Sequence, residues 1–149
     1  MKTINNGFLI FILCFFSMFT IVAQEWQHDF ETAKKVASEE NKPIILVFQG
    51  SDWCAPCVLL DKEVFQTETF SLYAKDHFVM IEADFPKKPE NALSEALKKH
   101  NYELLNTYNT RGIFPFVVVL DSEGKVLGET GYFNATPSEY ILHLESFKG

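Results

Sequence analysis

Apolar positions recur along the chain with two different periods, and the switches between them outline its elements. Residues 29–40, DFETAKKVASEE, space Phe30, Ala33 and Ala37 among charges, which predicts an amphipathic helix. Pro43 then opens IILVF, an unbroken β-branched and aromatic run that predicts a strand buried on both faces, ending near Gln49-Gly50. Residues 55–66 return to helical spacing, with Val58, Leu59 and Phe65 as inward positions, and FSLYAKD continues in that style. FVMIEAD, residues 78–84, predicts the next strand. Strand, helical stretch and strand make a crossover unit, which favours parallel pairing through a right-handed connection.

FPKKPE, residues 85–90, reads as a loop by its prolines and lysines. A polar helical region follows from Asn91 to about Tyr108, with a break expected at Asn101 and with Leu93, Leu97, Leu104 and Tyr108 sharing a face. FVVVLD, SEG and KVLGET predict a hairpin in which Gly124 supplies a positive backbone angle. In TPSEYILHLESF, Thr136 is placed to cap a last helix, Pro137 suits its first position and Glu139 completes a capping box. Tyr140, Ile141, Leu144 and Phe147 then face the sheet. With 149 residues and no internal repeat or linker, the expected product is one domain with a real core.

The N-terminus departs from this pattern. MKTINNG carries one lysine, and Phe8 to Ala23 form an apolar run interrupted only by Ser17 and Thr20. Residues 1–23 therefore predict a secretory signal cleaved after Ala23, which leaves residues 24–149 as the mature domain and an exported, periplasmic location. The run is shorter than the ~20 residues that comfortably span a bilayer. Ile21 is bulkier than the residue usually preferred before a cleavage site, so an uncleaved membrane anchor is the alternative. Cys14, behind bulky Leu13, does not resemble a lipidation site. Loss of Lys2 with the leader takes the net charge from −7 to −8, which argues against nucleic acid as a partner.

That leader also removes Cys14, so Cys54 and Cys57 hold all the sulfur chemistry of the mature domain. A bridge closing so short a loop restrains the unfolded chain little, which makes stapling a weak explanation. Side chains three apart on a helix share a face with β-carbons ~5–6 Å apart, so the pair can open and close without unfolding anything. If Cys54 begins the helix, the unpaired N–H groups and the dipole of the first turn favour its thiolate, the attacking species in disulfide exchange. Pro56 in that turn stiffens the link between the sulfurs. A structural zinc site wants four ligands, and His28, His77, His100 and His143 stand in no ligand spacing with the cysteines, so no metal is expected.

Trp53-Cys54-Ala55-Pro56-Cys57, together with TRGIFPFVVVLDSEGKVLGETGY, strongly resembles the thioredoxin superfamily over nearly all of residues 25–149. Glu25-Trp26, the 29–40 helix and Lys42-Pro43 are similar to the exported members. The resemblance implies a three-layer α/β/α sandwich with a central mixed sheet, Cys54 as exposed nucleophile and Cys57 as the more buried resolving thiol. It further implies that Pro115 is a cis-proline facing the pair, that Phe114 offers backbone to an extended substrate, and that Gly131, between Thr130 and Tyr132, forms another wall. Trp53, beside Cys54, is expected to be a partly exposed docking surface, and Asp52 a solvated loop acid.

Three departures from the family bear on mechanism. Phe48 stands where typical thioredoxins carry a buried acid, and Met80 where a lysine usually lies near it, so their proton relay does not transfer; Glu82 is a candidate replacement, as is a water. Ile113 and Phe114 occupy a loop position where thioredoxins have one residue, and Val58 replaces a frequent lysine. Ala55-Pro56 offers no charged donor to the thiolate, unlike oxidising members, which favours a reductase or isomerase of protein disulfides over a thiol oxidase. The partners implied are disulfide-containing proteins and a membrane thiol that supplies electrons. A monomer is expected, and the chemistry needs no cofactor. The other class left open is a thioredoxin-like binding or chaperone module without turnover.

Overall fold

A computed structural model describes residues 25–149, so the predicted leader lies outside the described residues. Its sheet has the order β1-β3-β2-β4-β5, with β1 at Trp26–Gln27, β2 at Ile44–Gln49, β3 at Val79–Asp84, β4 at Phe116–Leu120 and β5 at Val126–Thr130. β1 and β2 both run parallel to β3, whereas β4 is antiparallel to β2 and β5 to β4. The mixed character follows from the connections: a helical crossover joins β2 to β3, and a hairpin turning at Gly124, φ 88°, joins β4 to β5. β1 is a strand the periodicity did not predict, because two residues are too few to show alternation.

Among the described residues five α-helices flank the sheet: α1 (Phe30–Glu40), α2 (Ala55–Leu60, continued by a π-helical turn over Asp61–Phe65), α3 (Glu68–His77), α4 (Glu95–Tyr108) and α5 (Pro137–Glu145). Strand alternation divides the core between them. Ile45, Val47, Met80, Val117 and Val119 pack on one side with Leu60, Val64, Phe70, Tyr140 and Leu144 of α2, its continuation, α3 and α5. On the other side, Ile44, Leu46, Ile81, Val118 and Leu120 pack with Ala33 and Ala37 of α1 and Leu104 of α4. The expected α/β/α sandwich is the one observed. Ile44 to Phe48 are at most 1% exposed, and burying such side chains stabilises by ~1.5–3 kcal/mol each, so the strand that leads toward the cysteines is firmly held.

Two local expectations are corrected. Val58 and Leu59 do not pack inward; they are 49% and 41% exposed. Cys57 sets the rotation of α2, and the positions three and seven residues on, Leu60 and Val64, are the ones that share its inner face. α4 is not broken at Asn101 either. Ser94 starts it by accepting the Leu97 N–H, and Asn101, buried in mid-helix, donates its amide to the carbonyl of Asp84 at the end of β3. The polar residue is therefore a tether between helix and strand. The Thr136–Glu139 capping box forms as expected, each side chain bonding the other's backbone N–H.

Candidate active site

Beyond β2 the chain turns sharply. The Cys54 N–H donates to the Gly50 carbonyl at 2.9 Å, and Cys54 becomes the extended N-cap of α2. Its carbonyl accepts the N–H groups of Cys57 and Val58 at 3.0 and 3.1 Å, while its side chain makes no capping bond. The sulfur is instead bonded to that of Cys57, across a Cα separation of 5.2 Å that falls in the usual span. The expected contrast in exposure is absent from this oxidised form: Cys54 is 4% exposed and Cys57 2%. In this form the bond holds Cys54 against a partner on the inner face of α2.

Of the predicted groove residues, Trp53, Phe114, Pro115 and Gly131 are linked to one another, and Trp53 directly precedes Cys54. Trp53, 40% exposed, donates its indole N–H to the Phe85 carbonyl at 2.7 Å and meets Phe114 edge-on at 5.5 Å. The Phe114-Pro115 bond is cis and Pro115 is buried. At Gly131 an added Cβ would sit 3.2 Å from the Pro115 carbonyl oxygen, so this wall lies close against the proline. Pro56 lies between the two cysteines, exposed in the first turn of α2.

Residues whose partners the sequence did not reveal hold these loops in place. Asn109, 2% exposed, accepts the Ile113 N–H at 3.0 Å and donates to the Ile113 carbonyl at 2.8 Å, so one side chain folds the segment that leads to Phe114-Pro115. Asp52 is a clamp and not merely a solvated acid. It accepts the backbone N–H groups of Lys87 and Lys88 and the Asn91 amide, each at 2.9 Å. Those bonds, the Lys87 one foremost, hold its carboxyl below the usual range. Nearby, Asp84 accepts both the N–H and the hydroxyl of Ser51, tying the cysteine loop to β3.

Phe48 is fully buried in the α1/α4 layer against Phe116, with no acidic function in its place. The acid lies elsewhere. Glu82 shares its face of β3 with Met80, toward α2, and accepts a hydrogen bond from the Gln49 amide at 2.9 Å; His28 Nδ1 is 3.5 Å away. Burial pushes its carboxyl up, His28 opposes the shift, and the charges of Asp84 and Asp61 add to it. Asp61, in the turn that continues α2, is also raised by burial against a hydrogen bond from Gln66.

A disulfide that heads a helix, next in the chain to an exposed indole and in a fold that also carries a cis-proline, carries electron pairs between sulfur atoms, and this fold and site define a thiol:disulfide oxidoreductase. The sequence model of a family described as thioredoxin-like matches residues 25–122, and the chain belongs to that family. It is 34% identical over 122 residues to the disulfide bond reductase DsbH of Chlamydia pneumoniae, across 82% of this chain and 71% of that protein. A solved DsbH oxidoreductase structure superposes with a TM-score of 0.77 at 32% identity, covering 84% of each chain. A thioredoxin from Thermus thermophilus, 17% identical, shares the fold with a TM-score of 0.60 over 83% of this chain and 86% of its own.

Proposed function

We propose that the protein is an exported, periplasmic reductase of protein disulfides. The observation that carries the reading is the Cys54–Cys57 bond at the head of α2, with Cys54 as N-cap. In the reduced form, the Cys54 thiolate attacks one sulfur of a substrate disulfide, and a mixed disulfide forms as the substrate's other sulfur leaves as a thiolate. The Cys57 thiolate then attacks the Cys54 sulfur. The second substrate thiolate departs, the bond seen in this structure is restored, and two electrons have passed to the substrate. Trp53, Phe114, Pro115 and Gly131 form the surface against which the mixed disulfide is held, and Pro56 stiffens the turn between the sulfurs.

The reducing direction is supported by the Ala55-Pro56 link, which offers the Cys54 thiolate no charged donor, and by the similarity to a protein named a disulfide bond reductase. Export is supported by the apolar leader and implies a membrane thiol that returns electrons to the pair. Equilibration in glutathione buffers tests the direction. A potential near the roughly −270 mV of thioredoxin fits a reductase, and one near about −120 mV marks an oxidant and overturns the proposal. Insulin reduction should occur with the wild type and vanish in Cys54→Ser; a binding module without turnover would show none in either.

A further inference from the structure

A cavity of about 450 Å³ is lined in part by Trp53, the residue before Cys54, and by Phe114, the residue before Pro115. Its wall is a chain of rings set edge to face: Trp53 to Phe114 at 5.5 Å, Phe114 to Phe85 at 5.5 Å and Phe85 to Tyr102 at 5.3 Å. Leu93 and Leu105 add aliphatic surface. The extra residue before Pro115 has a visible use here, because Phe114 is the ring that joins Trp53 to Phe85. Lys87, Lys88 and Lys98 also line the cavity, on a chain whose net charge is −7. The Lys87 ammonium lies 3.9 Å from the Trp53 ring centre, and Lys98 pairs with Glu95 at 2.9 Å. Asp84, the acid in the lining, is already occupied by hydrogen bonds from Ser51 and Phe85.

We propose that this cavity is a specificity pocket for the substrate chain, receiving an aromatic side chain flanked by a carboxylate a few residues from the cysteine under attack. Two features select that occupant. A space this size, walled by ring edges, suits a further ring in edge-to-face contact better than an aliphatic branch. Lys87 and Lys88 favour an anionic neighbour and disfavour a basic one, and Lys98 adds to this less because Glu95 pairs with it. The link to catalysis is continuity along the chain: Trp53 immediately precedes Cys54 and Phe114 immediately precedes Pro115, so the lining adjoins the residues that would hold a substrate. The proposal rests on the reductase reading and adds the class of segment that is reduced fastest.

The test uses cystine-linked peptide dimers that carry Trp or Ala two, three or four residues from the cysteine, with Glu or Lys adjacent. Pre-reduced protein is mixed with each, and its second-order rate is divided by that for 2-hydroxyethyl disulfide, which is too small to fill the cavity. At one spacing the Trp/Glu peptide should exceed the Ala/Lys peptide by at least about tenfold, roughly 1.4 kcal/mol. Lys98→Glu, on a surface position, should cut the preference for Glu over Lys several-fold, and Leu105→Trp, which fills the cavity, should remove the preference for Trp. Because Leu105→Trp also risks the fold, the Lys98→Glu ratio decides the matter alone. Equal ratios across the peptides, a preference for Lys, or a dimer that Lys98→Glu dissociates would each overturn the pocket's assignment while leaving the reductase standing. No reaction with 2-hydroxyethyl disulfide would remove the reductase reading, and the pocket's role with it.

Discussion

A Cβ placed on Gly50 would lie 2.3 Å from Cε2 of Trp53. The indole is folded back over the end of β2, and only a residue without a side chain leaves it that room. There its N–H reaches the Phe85 carbonyl and its edge meets Phe114. Gly50→Ala should expel the ring, costing about 1–3 kcal/mol by overpacking and altering the Trp53 emission change on reduction. Urea unfolding and fluorescence, in a Trp26→Phe background, measure both; a wild-type midpoint with wild-type emission would mean the ring is not held by this contact.

Asn109 offers a second test, since its two bonds to Ile113 shape the approach to Pro115 from a buried position. Asn109→Ala leaves the Ile113 N–H and carbonyl without those partners and should cost about 1–3 kcal/mol. It should also raise KM for insulin more than it slows 2-hydroxyethyl disulfide, because a loosened loop harms the holding of a chain more than the exchange of sulfur. An equal loss on both substrates would assign Asn109 to general stability alone.

What was legible in the chain, and what was not, follows from how far each interaction reaches. β2 and the α5 capping box are written in consecutive residues, and both form as expected. Phe48 and Met80 announce the missing relay at their own positions. The rotation of α2, by contrast, is set by where Cys57 must point, which a window containing Val58 and Leu59 does not reveal. Asp52 binds amides 35 and 36 residues away, and Asn101 a carbonyl 17 residues away. Such bonds leave no periodic mark, so both residues looked like surface or breaking positions until the loops were seen together.

The order of attack gives a third prediction. Cys57→Ser keeps the Cys54 thiol at the head of α2 and removes the group that resolves the mixed disulfide, so covalent complexes with substrate should accumulate. Non-reducing gels and intact mass should show them, and Cys54→Ser should show few. The reverse pattern would make Cys57 the first nucleophile, despite its place on the inner face of the helix.

Two acids, Glu82 of β3 and Asp52 of the cysteine loop, should pull stability in opposite directions with pH. Glu82 has a raised carboxyl in the fold, so the folded protein binds its proton more tightly than the unfolded chain does. Its contribution is present in full below the unfolded value, ~4.3, and is lost as pH rises through the raised folded value. Asp52 has a lowered carboxyl, so its contribution is present above ~3.9 and is lost as pH falls through the lowered folded value. Glu82→Gln keeps an oxygen to accept the Gln49 amide and removes the buried charge. It should raise the urea midpoint at pH 7 relative to wild type and leave it nearly unchanged at pH 4, whereas Asp52→Asn should lower the midpoint at pH 7 and matter little near pH 2. If Glu82→Gln is destabilising at pH 7, the carboxylate is held by favourable partners that outweigh its burial. If that variant also flattens the pH dependence of insulin reduction, Glu82 exchanges protons with the cysteine pair.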